Sequence, residues 1–247
     1  MNRKESRVAL VTGAAGTMGA ETARRLAADG HRVALVDVAA ERLKAIAAAL
    51  GASGHMIAAD ISDSATAERA VGEAERALGP VDILVNNAGI LSNNKAVETT
   101  PEEWRRVLAV NLDAAFYLAR RVLPGMKARR FGRIVNVCSL AMKSGGITAG
   151  TAYTASKGAL AALTFSLARE FAPFGITVNG IAPAYVKTPM VTEQLNEAQR
   201  QSLLQQIPVG RFCEPEEFAH CVAFLVSPMS GFITGEILDL NGGLHFD

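Results

Sequence analysis

A tyrosine and a lysine four residues apart, in Tyr153-Thr-Ala-Ser-Lys157, offer the most distinctive chemistry in this sequence. Four residues is slightly more than one helical turn, so both side chains leave the same face of a helix. A phenol has a pKa of about 10 in water, and a nearby ammonium lowers that pKa by favouring the phenolate. The spacing therefore predicts a proton donor or acceptor, although an isolated pair of this kind could equally be solvated.

Two further polar residues are candidates for the same site. Ser139 follows the apolar run Ile134–Val137. Ligands of open α/β sheets bind outside the carboxyl ends of the strands, so the Ser139 hydroxyl is placed to hydrogen-bond a substrate oxygen, unless it only caps a turn. Asn111 falls inside a long helical pattern, where asparagine is a mediocre helix former. It could pack there or bond the backbone of its own helix.

A glycine-rich turn, Thr12-Gly13-Ala14-Ala15-Gly16-Thr17-Met18-Gly19, comes after the first apolar run and opens a helical pattern. In that setting backbone N–H groups approach a pyrophosphate at a helix N-terminus. Any tight strand-to-helix connection may also use glycine. The turn is therefore informative only in combination with the polar residues at the ends of the later apolar runs.

The second apolar run ends at Asp37, 24 residues after Gly13 (37 − 13). A carboxylate at this place accepts hydrogen bonds from an adenosine ribose and repels a 2′-phosphate. No Arg or Lys comes immediately after Asp37, and none lies between Gly13 and Gly19. These features favour NAD over NADP, with a helix cap as the alternative role for Asp37.

Polar residues also end the third and fourth apolar runs. Asp60-Ile61 stands where an adenine ring would lie, and Asn86-Asn87-Ala88-Gly89 forms a tight polar turn. Each pattern taken alone is ordinary turn chemistry. Their order along the chain, after the glycine turn and Asp37, favours a role in holding a dinucleotide.

The elements that must position these residues alternate between strands and helices. The predicted strands are Val8–Val11, Val33–Val36, His55–Ala59, Ile83–Val85, Ile134–Val137, Ile176–Val178 and Ile237–Leu240. The predicted helices are Gly16–Ala28, Ala40–Leu50, Ala65–Leu78, Pro101–Ala128, Ala152–Phe171, Glu193–Gln205 and Pro215–Leu225. Continuous apolar strands fit a parallel sheet covered on both faces. The pattern predicts a doubly wound, Rossmann-like α/β fold of about seven strands, in a single domain over residues 1–247.

Composition excludes several classes of function. Basic and acidic residues number 25 and 24, for a net charge of +1, which argues against nucleic-acid and acidic-membrane surfaces. No apolar run reaches the roughly 18 residues that span a bilayer, and no apolar leader segment comes after Met1. The three cysteines and four scattered histidines show no metal spacing. A cytoplasmic protein with reduced thiols and no metal site is expected.

In their order and spacing, these marks resemble the single-domain type of the short-chain dehydrogenase/reductase family, over essentially the whole chain from Val8 to Gly243. The matching positions are Thr12–Gly19, Asp60, Asn86–Gly89, Asn111, Ser139, Tyr153 with Lys157, Asn179–Pro183 and Thr188. Two positions depart from the family pattern. Thr17 stands where the middle glycine of the turn is usual, and Ala184 replaces the glycine that usually comes after the proline at 183.

The resemblance implies a role for each matching residue. The catalytic tetrad would be Asn111, Ser139, Tyr153 and Lys157. Tyr153 would exchange the proton and Ser139 would steady the substrate oxygen. Lys157 would lower the tyrosine pKa and hold the nicotinamide ribose, and Asn111 would hold a water connected to the lysine. The expected cofactor contacts are Gly13, Gly16, Thr17, Met18, Gly19, Asp37, Asp60, Ile61, Asn87, Ala88, Gly89, Tyr153, Lys157, Val186 and Thr188. The implied reaction is hydride transfer between NAD, or less favourably NADP, and a secondary alcohol or ketone.

The sequence leaves the substrate open. The residues expected around it are mostly apolar or small: Leu91, Leu140, Ala141, Gly145–Ile147, Ala184-Tyr185 and parts of Met190–Leu195, with Thr188–Val209 as a candidate lid. The chain most resembles the 3-oxoacyl-thioester reductase branch, which implies an acyl-thioester or another small-molecule substrate. A catabolic NAD-dependent dehydrogenase of a sugar, polyol or hydroxyacid is the alternative. A non-catalytic dinucleotide-binding sensor is the alternative from another class.

Two partner surfaces are also implied by the resemblance. Lys127, Arg129 and Arg130 could form a basic patch at the pocket mouth for an acidic acyl carrier protein, or only a solvated helix end. Phe174 stands where that branch often has a second arginine. Family members commonly assemble as tetramers through their two long helices and the C-terminal edge, so a homotetramer is expected for this chain.

Overall fold

A computed structural model describes residues 6–189 and 197–246. Its strands are β1 Val8–Thr12, β2 Arg32–Asp37, β3 Gly54–Ala58, β4 Ile83–Asn86, β5 Gly132–Val137, β6 Ile176–Pro183 and β7 Ile237–Leu240. Its helices are α1 Thr17–Ala28, α2 Ala40–Leu50, α3 Ser64–Leu78, α4 Pro101–Leu108, α5 Ala114–Arg129, α6 Ala141–Ser144, α7 Thr151–Phe171, α8 Glu197–Gln206 and α9 Pro215–Val226. A π-helical turn, Ala109–Asp113, joins α4 to α5.

The seven strands form one parallel sheet in the order β3-β2-β1-β4-β5-β6-β7. The strand order reverses direction at β1, which pairs with β2 on one side and β4 on the other. Adjacent connections therefore lie on opposite faces at this point and leave a crevice outside the carboxyl ends of the strands. The predicted doubly wound sheet is confirmed, and the crevice lies where the glycine turn leaves β1.

Apolar side chains fill both faces of the sheet. On one face Leu118 of α5 and Val71 of α3 join a fully buried cluster with Leu10 of β1. On the other face Phe218 of α9 and Leu26 of α1 pack with strand residues. Because the central strands β1 and β4 are covered on both sides, they are buried along their whole length and their apolar residues do not alternate with polar ones, as the sequence pattern predicts. The edge strands β3 and β7 are less buried.

The observed elements differ from the predicted ones mainly at one strand. Strand β6 continues to Pro183, five residues beyond the predicted end at Val178. Asn179 and Gly180 interrupt its apolar run, but the Asn179 amide donates to Ile233 O and accepts from Glu236 N. The polar side chain thus ties the strand to the segment before β7 and is compatible with burial.

The predicted helix Pro101–Ala128 is divided by the π-helical turn into α4 and α5. Other boundaries shift by one or two residues, apart from the predicted helix Glu193–Gln205. Its first residues lie outside the described ranges, and α8 is described from Glu197. No helix in the described ranges is long and apolar enough to cross a membrane. Within the same ranges, no group of three or more His, Cys, Asp and Glu residues is arranged to hold a metal ion.

Candidate active site

Helix α7 carries Tyr153 and Lys157 on the same face, as their spacing predicts. Both line a cavity of about 400 Å³ at the carboxyl edge of the sheet. The Lys157 ammonium donates a 2.7 Å hydrogen bond to Val137 O, the last residue of β5. Its Nζ lies 5.7 Å from the centre of the Tyr153 ring. The lysine is therefore anchored to the sheet while remaining next to the phenol.

Ser139 lies two residues beyond the end of β5 and faces the same cavity. Its side chain hydrogen-bonds that of Tyr153, and its Oγ accepts from Ala141 N at 3.2 Å. The bond from Ala141 N fixes the hydroxyl at the start of α6, a one-turn helix that the sequence analysis did not predict. Serine and tyrosine hydroxyls are thus directed at one point in the cavity.

Burial changes the protonation of both groups on α7. It raises the pKa of Tyr153 above its ordinary value of 10.0, and the hydrogen bond with Ser139 opposes this rise. Burial also lowers the pKa of Lys157 from 10.5 to about 8. The prediction that Lys157 lowers the tyrosine pKa is therefore wrong for this structure. Enclosure disfavours the charged form of each group, and the ammonium is directed at the Val137 carbonyl.

Asn111 lies in the π-helical turn and is buried. Its Oδ1 accepts from Ile90 N at 2.8 Å, and its Nδ2 donates to Ile90 O and to the Ser156 hydroxyl. A Cβ added at Gly89 would come within 3.3 Å of both Asn111 Oδ1 and Lys157 Nζ. Asn111 thus connects the segment after β4 to α7, close to the lysine, and does not bond its own helix backbone.

The glycine turn is held against the end of β4. Asn87 Nδ2 donates to Thr12 O at 2.9 Å and to Gly13 O at 3.1 Å. The Thr12 hydroxyl accepts from the backbone N–H groups of Asn87 and Ala88. Asn87 and Gly89 also line the cavity that contains Tyr153 and Lys157, as does Met18 at the start of α1. The turn therefore shares one crevice with Ser139, Tyr153 and Lys157.

Glycine is required at two positions of this turn. Gly13 has φ +62°, and a Cβ there would lie 2.9 Å from Ala88 Cα. At Gly19 a Cβ would meet Gly13 O at 2.2 Å. At Gly16 the nearest atom would be Gly13 O at 3.3 Å, so the middle position is less restricted. Thr17, one residue later, begins α1. The departure from the family pattern therefore falls on a residue in regular helix.

Asp37 ends β2 beside the glycine turn. Its Oδ2 accepts from Ala15 N at 3.1 Å and its Oδ1 from Ala39 N at 3.0 Å. The carboxylate therefore ties the glycine turn to the loop before α2, and it makes no side-chain cap to α2 itself. A carboxylate has acceptor sites beyond these two bonds, so these contacts leave capacity for ribose hydroxyls.

Asp60 and Ile61 face in different directions. Asp60 is exposed and accepts from the Ser62 backbone and hydroxyl and from Arg106. The Ser62 hydrogen bonds, with a smaller effect of Arg106, lower the pKa of Asp60. Ile61 is buried in the core between the sheet and α3. Only Asp60 of this pair presents its side chain to solvent.

The predicted substrate residues largely meet in one place. Leu91, Leu140, Ala141, Ile147, Ala184 and Tyr185 line the cavity together with the predicted cofactor contacts Val186 and Thr188. Gly145 and Gly146 do not line it, and Met190–Leu195 lies outside the described residues. Gln206, which falls within the candidate lid Thr188–Val209, also lines the cavity. The walls that the sequence analysis missed include Ile90, Val137, Cys138, Ser144, Thr148, Ala149, Leu244 and His245. The last two come after β7, whose carboxyl end could have indicated them.

The basic patch lies at the opposite edge of the sheet. Arg129 Nη2 donates to Val81 O, just before β4 begins, and Arg130 Nη2 donates to Pro173 O, before β6. The Lys127 ammonium lies 4.1 Å over the Phe174 ring. Helix α5 runs antiparallel to the strands, so its C-terminal end reaches their amino ends. The expectation that this patch borders the pocket mouth of the same chain is therefore wrong.

The fold and the cavity define a dinucleotide-binding α/β protein with a Ser–Tyr–Lys group at the carboxyl edge of its sheet. The family model described as enoyl-(acyl carrier protein) reductase matches residues 13–245. The chain belongs to the short-chain dehydrogenase/reductase family. It is therefore an oxidoreductase that uses a nicotinamide cofactor and acts on CH–OH or keto groups.

Individual relatives match along nearly the whole chain. The 3-oxoacyl-(acyl-carrier-protein) reductase FabG of Vibrio cholerae is 41% identical over 98% of both chains. The enzyme of the same name from Escherichia coli is 39% identical, again over 98% of both. A solved structure from Sinorhizobium meliloti, provisionally assigned as a short-chain alcohol dehydrogenase, has a TM-score of 0.91, with 33% identity over 96% of each chain.

Proposed function

We propose that this protein reduces a ketone to a secondary alcohol, or catalyses the reverse oxidation, with Tyr153 as the group that exchanges the proton. One observation carries the proposal. The Tyr153 hydroxyl is hydrogen-bonded to Ser139, and the buried Lys157 ammonium lies 5.7 Å from the centre of the Tyr153 ring. The cavity that these residues line also reaches the glycine turn at Met18. A phenol kept protonated by its surroundings is a competent general acid towards a developing alkoxide.

Each residue of the site has a separate task. A nicotinamide, when bound, supplies or accepts the hydride. In reduction, Ser139 donates a hydrogen bond to the substrate oxygen and Tyr153 transfers its proton to that oxygen as the alkoxide develops. Lys157, whose ammonium is held at the end of β5 by Val137 O, bonds the ribose hydroxyls. Asn111 lies close to Gly89 and Lys157. It holds a water through which Tyr153 regains its proton.

NAD is the proposed cofactor in preference to NADP. Asp37 lies at the end of β2 with its carboxylate bonded to Ala15 N and Ala39 N. A fixed negative charge at this place repels a 2′-phosphate and accepts from a 2′-hydroxyl. We expect kcat/KM to be higher with NADH than with NADPH, and Asp37→Ser to reduce that preference. Equal rates with both cofactors in the wild-type protein would contradict the assignment.

A 3-oxoacyl thioester is the proposed substrate class. The relatives from Vibrio cholerae and Escherichia coli are named for that reaction, and the cavity is predominantly apolar around Leu91, Leu140 and Ile147. Such walls suit an acyl chain. A catabolic dehydrogenase of a polyol or hydroxyacid is the second candidate, because Asp37 favours the NAD cofactor.

A substrate screen tests the reaction class and ranks these two candidates. Absorbance of the reduced nicotinamide is monitored with 3-oxoacyl thioesters, simple ketones, polyols and hydroxyacids, each with both cofactors. Fastest turnover with 3-oxoacyl thioesters would support the first candidate, and fastest turnover with polyols or hydroxyacids the second. Cofactor binding without turnover of any compound would favour a non-catalytic sensor.

We further propose a homotetrameric, cytoplasmic enzyme. Phe116 on α5 and Phe165 on α7 expose 42% and 51% of their surfaces, and large exposed aromatic groups on neighbouring helices suit a subunit interface. The three cysteines form no disulfide in the structure, which suits a reducing compartment. Light scattering on the purified protein tests the assembly, and a monomeric mass would contradict it.

A further inference from the structure

The wall of the cavity between α6 and α7 is attached to the rest of the molecule through two lysines outside the proposed catalytic group. Ser144, Ile147, Thr148 and Ala149 of this segment line the cavity. Residues 145–150, between the two helices, form the α6–α7 loop. Its position determines how much space lies beside Tyr153 and Ser139.

Lys95, in the segment after β4, holds the middle of this loop. Its ammonium donates to Gly146 O at 2.7 Å and to Ala149 O at 2.6 Å. The lysine as a whole is exposed, whereas Gly146 and Ala149 are buried. A single cation therefore satisfies two carbonyls of a wall that has no regular secondary structure.

The backbone around Lys95 is packed closely on the same loop. Gly150 N donates to Ser92 O at 2.7 Å, and Thr151 N donates to Asn94 O at 3.0 Å. A Cβ at Gly150 would meet Asn94 O at 2.4 Å. These backbone contacts hold the start of α7, whose first turn carries Tyr153, without involving the Lys95 ammonium.

Lys143 holds the other end of the wall. It is the third residue of α6, and its ammonium lies 2.8 Å from Asp239 Oδ2 on β7. The two side chains are only 15% and 26% exposed, so this ion pair is better shielded from solvent than a surface pair. Lys143 therefore attaches the wall to β7, and Lys95 attaches it to the segment after β4.

We propose that Lys95 and Lys143 are positioning residues that set the size of the substrate the cavity accepts. They act through the wall formed by α6 and the α6–α7 loop, and neither lysine is among the described residues that line the cavity. Loss of either cation loosens the wall while leaving the hydroxyls of Ser139 and Tyr153 in place. The enzyme then accepts bulkier substrates. The inference rests on the proposed function only for its kinetic test.

The kinetic test compares Lys95→Met and Lys143→Met with Lys44→Met, which removes an exposed lysine on α2. The probes are 3-oxoacyl thioesters with a short and a long acyl chain. In the first two variants we expect kcat/KM for the long chain relative to the short chain to rise about ten-fold, the scale of discrimination by pocket walls. The short-chain kcat should be unchanged. Lys143→Arg, which can keep the ion pair, should restore the wild-type ratio.

A second measurement does not depend on any substrate. Hydrogen–deuterium exchange of the amides in residues 144–151 should be faster in Lys95→Met and Lys143→Met than in Lys44→Met. Unchanged exchange in this segment would overturn the inference. So would an unchanged chain-length ratio when the wild-type enzyme turns over both thioesters. An inactive wild-type protein whose variants still show faster exchange would contradict the proposed function instead.

Discussion

Buried cations at the two edges of the sheet have different bonding partners. At the amino edge, Arg133 is buried and donates to Gly132 O at 2.8 Å and Gly175 O at 3.2 Å. Arg129, which is exposed, pairs with Asp82 at 3.2 Å. At the carboxyl edge, the Lys157 ammonium donates a hydrogen bond to Val137 O in the described structure. No carboxylate is among the described residues that line its cavity.

This difference separates structural charges from functional ones. At the amino edge, Arg129 is paired with a carboxylate, and the buried Arg133 is hydrogen-bonded to backbone carbonyls, so the burial of Arg133 is compensated within the fold. Lys157 has three donors and no opposite charge among the described residues of its cavity, and burial lowers its pKa to about 8. A buried cation with unused donor capacity in a crevice indicates a site built for a ligand. Substitutions at the two edges should therefore have effects of different kinds and sizes.

The largest effect is expected from Tyr153→Phe. The variant lacks the hydroxyl that exchanges the proton but keeps the ring, so we expect kcat to fall by about 10²–10⁴ while cofactor affinity is retained. Steady-state kinetics and cofactor fluorescence titration measure the two quantities. Tyr117→Phe, which removes a hydroxyl on α5 outside the cavity lining, is the control and should retain activity. Undiminished turnover in Tyr153→Phe would refute the proposed role.

A smaller effect is expected on the stability of the ligand-free protein from Lys157→Met. The pKa of Lys157 is about 8 when folded and 10.5 ordinarily, so the unfolded chain binds more protons between these values. Wild-type stability should therefore rise with pH across that window, relative to the variant. Below pH 8 the variant should be more stable, by on the order of 3 kcal/mol at most (10.5 − 8 = 2.5 pKa units).

Urea unfolding of both proteins, measured from pH 7 to above pH 10, provides the test, with cofactor titration of the variant alongside. We expect the variant to bind cofactor weakly at every pH, because the ammonium that bonds the ribose is gone. A stability difference that stays constant over this range would show that Lys157 is not a destabilised cation, and the contrast between the two edges would fail.

At the amino edge the expected effect is on stability alone. Arg133→Met leaves the carbonyls of Gly132 and Gly175 without their charged donor, so we expect the free energy of unfolding to fall by about 2 kcal/mol. Chemical denaturation measures this loss. Arg105→Met, at an exposed pair with Glu102, is the matched control and should change stability by less than about 0.5 kcal/mol. A fall in kcat without a fall in stability would show that Arg133 is a functional charge and not a structural one.

The sequence predicts the strands and the shared helix face of the site better than the long-range contacts around them, and the reason is physical. Apolar runs and the helical spacing of Tyr153 and Lys157 are local patterns, so they indicate the strands and the shared helix face directly. The Asn111 side chain hydrogen-bonds Ile90 and Ser156, which are 21 and 45 residues away in the sequence. These bonds depend on tertiary packing. No local pattern distinguishes such an asparagine from one that bonds its own helix.

Two wrong predictions have the same origin. The direction of the Tyr153 pKa shift depends on burial and on where the Lys157 ammonium points, and neither quantity is visible in a four-residue spacing. The basic residues Lys127 and Arg130 look like a docking patch in the sequence. Their placement is set by the direction of α5, which brings them to the amino ends of the strands and to Phe174 and Pro173.

The smallest effect is expected from the double substitution Lys127→Ala and Arg130→Ala. Both residues are at the sheet edge away from Tyr153, so we expect kcat/KM for a small ketone substrate to stay within about two-fold of wild type, the range of ordinary surface substitutions. The same measurement with a 3-oxoacyl group on an acyl carrier protein sharpens the contrast. A loss seen only with the protein-bound substrate would mean that assembly brings one subunit's amino edge near another subunit's cavity. A fall in kcat/KM with the small ketone would mean that residues at the amino edge affect the cavity of the same chain. That result would contradict the separation of structural and functional charges.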